Sequence, residues 1–246
     1  MESKTPRIRP IDSSDRKLAL FIVGKANFES LAVANRQAYS HPLILGTWLL
    51  LSLAFIHVMN WWPSSHRGLL GIFGYLKPLP AFASVAVPLM FLIDWNNRPH
   101  FEERTQNAIK EKDMHNPVAY YNQSPASGFW ILEYGDKFIG LVALDVNDGK
   151  RTHKGIIRHF YVEEAFRNTG IQEDLLNHAL THAFDKSSAL DSIEATDAPR
   201  LIPYLHECYE KSGFKLGRGS QSVGIFGYWK YCTTALQRKD WKRPSS

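Results

Sequence analysis

Residues 42–62, PLILGTWLLLSLAFIHVMNWW, hold no charged side chain. That is 21 residues, and about 20 residues in a helix cross a bilayer core. Trp61 and Trp62 close the run, where interfacial aromatics belong. A second apolar stretch, 68–93, has Lys77 as its only charge. Pro78 and Pro80 interrupt it and leave LPAFASVAVPLMFLI, 79–93, as a shorter helix candidate. Such a segment spans only if its flanks extend the helix or Lys77 snorkels. The pair predicts a hydrophobic hairpin over 43–95 that contacts a lipid bilayer; a hairpin buried in a soluble protein is the alternative. The run begins too far from Met1 for a signal peptide, and RIRP precedes it without a cleavage pattern.

On either side, the chain reads as ordinary globular α/β sequence. RIRPIDSSD predicts a short strand, then a helix start capped by Ser13, Ser14 or Asp15. The helix extends to about Ser40, whole or in two pieces around Gly24. A polar helix candidate at 100–116 ends before Pro117. GFWILEY and KFIGLVALDV alternate apolar and polar residues around Gly135–Asp136, a hairpin signal. A polar turn leads to GIIRHFYV, 155–162. Ile171, Leu175, Leu176, Ala179, Leu180, Ala183 and Phe184 then recur at helical spacing. A strand at 191–197 follows, then a helix at 199–214 stopped by Gly213, and a last strand at 222–232. If the first strand and the later ones share a sheet, the hairpin must leave and return on one side, as two passes or a re-entrant wedge.

A net charge of +5 and a pI near 9.1 are mildly basic. The one basic cluster, RKDWKR at 238–243, is read as a solvated tail or a contact for anionic lipid or nucleic acid; no nucleic-acid partner is expected. Two cysteines make no disulfide framework and suit a reduced, cytosol-facing domain. No H-E-x-x-H or Cys/His cluster suggests a metal. His178 and His182, four apart on a helix, are expected to face solvent. There is no G-x-S-x-G and no P-loop.

Chemistry is concentrated in two segments. FRNTGIQEDLL, 166–176, places an Arg, then a Gly, then a helix start directly after a strand. The first amides of a helix lack internal partners and carry partial positive charge, and a glycine lets main chain approach a phosphate closely. CYEKSGF, 208–214, follows one strand later. Together, in this order, they resemble the signatures of the GNAT N-acetyltransferases: Arg/Gln-x-x-Gly-x-Gly/Ala, and a helical Tyr followed by x-Lys-x-Gly-Phe. The hairpin between the first two helices, RIRPIDSSDRK and GFWILEYGDKFIGLV resemble one membrane-bound group of that family. That group includes the kidney and liver enzyme acting on cysteine S-conjugates.

The resemblance implies an acyl-CoA N-acyltransferase fold, α/β with a mixed sheet, and a two-helix membrane hairpin as insert. Its pieces would be 1–42 (first strand and helix), 43–95 (hairpin), 96–232 (remaining domain) and 233–246 (basic tail). It implies acetyl-CoA as co-substrate, an amine acceptor on a small conjugate or a polypeptide, and a membrane location, the endoplasmic reticulum, with the catalytic domain in the cytosol. Carried over residue by residue, the amides of Arg167, Asn168, Thr169, Gly170, Ile171 and Gln172 would cradle the pyrophosphate. Main-chain groups of Phe160 and Val162 would pair with the pantetheine arm. Tyr209 would protonate the departing thiolate, and His159 would take the amine proton, directly or through water. Glu133 is a second candidate base. A plain helix cap, a core tyrosine and a structural strand histidine are the competing readings of these residues.

Gln172 stands where the family has Gly or Ala, and Glu173 and Asp174 follow it. At an effective dielectric near 20, two charges about 8 Å apart interact by about 2 kcal/mol, so the acids oppose a bound pyrophosphate. The family's Asn early in the second helix is also absent, with Ile202 and Pro203 in that region. These departures motivate an alternative: a weak or inactive GNAT-like scaffold serving assembly or trafficking of a membrane-protein partner.

Overall fold

The computed structural model describes residues 5–63, 71–147, 152–167, 169–224 and 227–243. Alternating side chains build a seven-stranded sheet in the order β1-β2-β3-β4-β5-β7-β6. The strands are β1 Pro6–Pro10, β2 Gly128–Tyr134, β3 Lys137–Asp145, β4 Lys154–Val162, β5 Ser192–Asp197, β6 Lys215–Val223 and β7 Trp229–Gln237. All neighbours pair antiparallel except β4 and β5, which are parallel. The sheet is therefore mixed, as expected.

The period-2 alternation sorts side chains onto two faces. Trp130, Leu132, Val142, Leu144, Phe160 and Val162 pack against α7 (Ile171–Lys186), through Leu175, Leu176, Ala179 and Leu180. Phe129, Ile131, Leu141, Ala143 and Tyr161 take the other face, against Ala19, Ile22 and Val23 of α1 (Arg16–Tyr39).

The helix start is capped differently from the expectation. Asp12, one residue earlier than the three candidates, accepts from the Ser13 amide at 2.6 Å, and Asp15 returns a bond to the Asp12 amide at 2.8 Å. α1 runs unbroken through Gly24. That glycine is buried against Thr105 and Ile109 of a later helix, whose side chains lie 4.0 and 3.9 Å from where a Cβ would stand, so it serves close helix packing rather than a break.

α2 (Pro42–Val58) leaves α1 at a bend of 59°. After α3 (Gly71–Leu76) the chain returns in α4 (Leu79–Lys110), which continues through Pro88 and Pro99. The separate helix expected at 100–116 is thus the far end of the returning helix, and the expected boundary at 95/96 falls inside it. Contacts to α1 carry α4 past its prolines. The Asn97 amide donates to Asn35 Oδ1 at 2.9 Å, Asn35 donates to Asp94 at 2.7 Å, and Leu31, Ala34, Ala38, Ile93 and Phe101 form one apolar cluster around Trp229. Gly74–Lys110 is long and apolar enough to cross a membrane, with a mean hydropathy of 1.8 over its most apolar window.

Two short helices follow, α5 (Lys112–His115) and α6 (Pro117–Tyr121). The single strand expected at 222–232 is instead the turn and flanks of a β6–β7 hairpin. β7 also runs past the expected boundary at 232. The basic tail is only partly solvated: Lys239, Lys242 and Arg243 are exposed, while Arg238 donates to the carbonyls of Leu190, Phe184 and Ser187, and Trp241 packs on Phe184 at 5.0 Å. α8 (Pro203–Lys211) ends as the sequence predicts, with Gly213 at φ 86° and the Phe214 amide bonded to Tyr209 O at 2.9 Å.

Candidate active site

The opening in the sheet follows from its pairing. β4 and β5 are paired only from Lys154↔Ser192 to Ile157↔Ala195. Beyond Ile157, β4 continues along β3 while β5 stays with β7, so the two strands part. The Glu163 amide bonds to Ile139 O at 2.8 Å. In an antiparallel ladder the bonded side alternates along the strand, so Phe160 and Val162 turn their main-chain N–H and C=O away from β3, into the gap. This is the direction expected for both residues.

The gap opens into a cleft of about 450 Å³ between α1, α4, β4, β6, β7 and α8. His159, Phe160 and Tyr209 line it together. Tyr209 is 2% exposed and packs between Phe160 and Phe214, at ring distances of 6.1 and 5.0 Å. Burial, reinforced by the neighbouring Cys208 and Asp197, pushes its phenol well above the ordinary value, so it stays protonated at physiological pH. Burial likewise holds the Cys208 thiol up at about 12, which makes it a poor nucleophile. His159 is 8% exposed, with Nε2 2.9 Å from Asp113 Oδ2. Tyr121 donates to the same oxygen at 2.8 Å.

At the mouth of the gap, a 3-10 turn (Glu164–Phe166) leads into the loop before α7. Gly170 has φ 80°, the left-handed region that glycine supplies without strain. Of the six amides expected to form the cradle, Arg167 and Thr169 are engaged within the turn, on Glu164 O and Phe166 O. Asn168 lies outside the described residues. Ile171 and Gln172 open the helix, and their amides have no acceptor inside it. Of the six residues, Ile171 and Gln172 are thus the ones whose amides the helix leaves without an acceptor.

The Arg167 side chain takes a part that the motif does not reveal. Its Nε donates to Val162 O at 2.8 Å and its Nη2 to Glu29 Oε2 at 2.6 Å, and the guanidinium lies 4.1 Å from the Tyr204 ring centre. It thus holds one of the two main-chain carbonyls turned into the gap. Gln172 is folded inward, 6% exposed, with Oε1 unpartnered among the described residues. Glu173 pairs with Lys211 at 3.1 Å, which offsets part of the repulsion expected from the acids at this helix start.

Glu133 does not reach the cleft. It is committed to Arg9 on β1, at 2.9 and 2.6 Å, because the β1–β2 register sets Arg9 opposite Ile131 and so makes Glu133 its diagonal neighbour two positions along. His178 and His182 flank Trp130 at 5.4 and 4.9 Å. Among the described residues no group of three His, Cys, Asp or Glu is arranged to hold a metal ion. Sequence reasoning missed Asp113, Glu29 and Tyr204. Asp113 sits 46 positions from His159 in an unremarkable polar helix end, with no local signal to mark it.

The model of the acetyltransferase (GNAT) family matches residues 89–214, just over half of the chain, including the loop, Tyr209 and Gly213. The chain belongs to that family. Solved GNAT structures are similar to it at low identity. Spermidine N-acetyltransferase from Vibrio cholerae, in complex with CoA and spermine, is 15% identical, with 96% of each chain covered and a TM-score of 0.47. Ribosomal-protein-S5-alanine acetyltransferase from Vibrio fischeri is 14% identical, covering 98% of each, with a TM-score of 0.47. A GNAT acetyltransferase from Streptococcus pneumoniae is 21% identical over 51% of this chain and 75% of its own, with a TM-score of 0.44. No curated protein matches the chain. As a GNAT enzyme the protein is an acetyl-CoA-dependent N-acetyltransferase, with acetyl-CoA as co-substrate.

Proposed function

We propose that the chain is a membrane-anchored N-acetyltransferase that passes acetyl from acetyl-CoA directly to an amine, on a small conjugate or a polypeptide. The observation that carries this reading is the parting of β4 from β5 beyond Ile157, with Tyr209 and His159 on the cleft it opens. The pantetheine arm would follow the main chain of Phe160 and Val162, displacing Arg167 from the Val162 carbonyl. The pyrophosphate would rest on the amides around Gly170.

In the reaction, a neutral amine nitrogen attacks the thioester carbonyl carbon while its remaining excess proton passes to His159. The tetrahedral adduct then collapses, the C–S bond breaks, and Tyr209 donates its proton to the sulfur; the proton held by His159 restores the Tyr209 phenol through solvent, which closes the cycle. The products are the N-acetylated amine and CoA thiol, with one proton per ammonium returned to solvent. The inert Cys208 supports direct attack over an acetyl-enzyme.

Membrane anchoring is supported by the hairpin surface: Leu50, Val87, Leu92 and Trp95 are each 61–70% exposed, and large apolar side chains gathered on exposed helices mark a face that meets lipid or a partner. Its place after α1 supports kinship with the membrane-bound group acting on cysteine S-conjugates, at the endoplasmic reticulum with the cleft in the cytosol.

Titration of acetyl-CoA into the detergent-solubilised protein tests the reading. Binding is expected, and Gly170→Val should weaken it roughly tenfold, since a left-handed β-branched residue costs about 1–2 kcal/mol. No binding by the unmodified chain at millimolar ligand would overturn the assignment. Glu133→Gln is expected to leave kcat within about twofold, because its carboxylate serves Arg9 rather than the amine; a much larger loss in a steady-state assay would restore it as the base.

A further inference from the structure

Asp113 is 1% exposed and offers its buried carboxylate very few donors. Oδ2 receives Tyr121 Oη–H at 2.8 Å and faces His159 Nε2 at 2.9 Å, while Oδ1 has no partner among the described residues. Burial alone would push this carboxyl up. The hydrogen bond and charge of His159, with Tyr121 and the nearby Arg158, outweigh it and hold Asp113 below the ordinary carboxylate range. An ionised carboxylate has no proton to give. The bond between Asp113 and His159 therefore needs its hydrogen on Nε2 whether the ring is charged or neutral, so the proton that the ring gives up before it can act as a base leaves its lone pair on Nδ1. The Phe129 ring stacks on the imidazole at 6.4 Å and limits its rotation. With the Nε2 edge committed to Asp113, Nδ1 is the nitrogen that His159 can present to the cleft it lines.

We propose that Asp113, itself oriented by Tyr121, is a positioning residue for acetyl transfer: it fixes His159 in the Nε2–H tautomer, and so keeps a basic nitrogen available to the attacking amine. The proposal rests on the reading of His159 as the base. It adds a function for the short α5, which follows directly on the long helix of the hairpin. Once His159 has taken the amine proton, the same carboxylate faces the imidazolium and stabilises it.

The first test needs no substitution at Asp113. Two-bond 1H–15N correlation spectra of full-length protein labelled with 15N-histidine, with the His159 signals identified by their loss in His159→Gln, should show the Nε2–H tautomer at neutral pH. The Nδ1–H tautomer would overturn the proposal. Asp113→Asn is nearly isosteric and can turn an N–H toward Nε2, which selects the other tautomer. Its kcat is expected to fall about 10–100-fold with the acetyl-CoA Kd unchanged and the His159 signals switched, whereas Tyr121→Phe should lose only a few-fold. An Asp113→Asn protein that turns over within twofold of an active parent overturns the role of Asp113 alone. A parent that binds acetyl-CoA yet acetylates no amine overturns the transfer reaction, and the positioning role with it.

Discussion

Tyr209→Phe is expected to lower kcat by about 10²–10⁴-fold, the usual contribution of a positioned acid, with little change in acetyl-CoA affinity. The ring would stay where it is, since its contacts to Phe160 and Phe214 involve no hydroxyl, so the loss reads the proton alone. The direction of the phenol's shift decides the shape of the pH profile. Burial raises it well above its ordinary value, which means the hydroxyl remains a donor throughout the accessible alkaline range. Activity of the unmodified enzyme should therefore not decline through titration of Tyr209 at any pH where the fold survives. Steady-state assays with thiol detection of released CoA would check both statements. A Tyr209→Phe enzyme with unchanged kcat would require another group to protonate the thiolate.

Trp229→Ala should produce the largest loss of stability, about 3–5 kcal/mol for removal of a buried tryptophan. Trp229 is fully buried, at 0% exposure, in the cluster that joins α1, α4 and β7, and its Nε1 donates to Gln37 Oε1 at 2.8 Å. The substitution opens a cavity and leaves the Gln37 carbonyl unpaired. For a chain of this size the melting temperature should fall by roughly 6–20 °C, measured by thermal unfolding in detergent or nanodiscs. A drop below 2 °C would show that the hairpin base is held by other contacts.

The architecture was legible wherever a local period or a turn residue carries it. The apolar spacing from Ile171 to Phe184 marks the buried face of α7, Gly135 turns β2 into β3 at φ 61°, and Gly213 ends α8. The sequence was misleading in the extent of the second apolar helix and in its last strands. Pro88 and Pro99 lie inside α4, where each removes a main-chain donor, and packing onto α1 carries the helix past them, beyond the Ile93 at which the apolar candidate stopped. The β6–β7 turn lies in a run of apolar and aromatic residues that reads as one strand.

Motif spacing singled out Gly170 and Tyr209, and the family resemblance His159, because loop, helix and strand are each local. It could not assign the partners of those residues. Arg9 meets Glu133 across 124 positions, and Asp113 meets His159 across 46.

By itself, the sequence determined the family, the two signature segments and the apolar hairpin that interrupts the domain. These are properties of consecutive side chains: a charge-free run, a glycine free to adopt positive φ, a phenol at a fixed distance from a helix end. Only the tertiary structure decided where β4 leaves β5, that Arg167 reaches back to Val162, and that a buried carboxylate sets the proton of His159. Each depends on which strands share hydrogen bonds, and that choice is made by the whole sheet closing over its core.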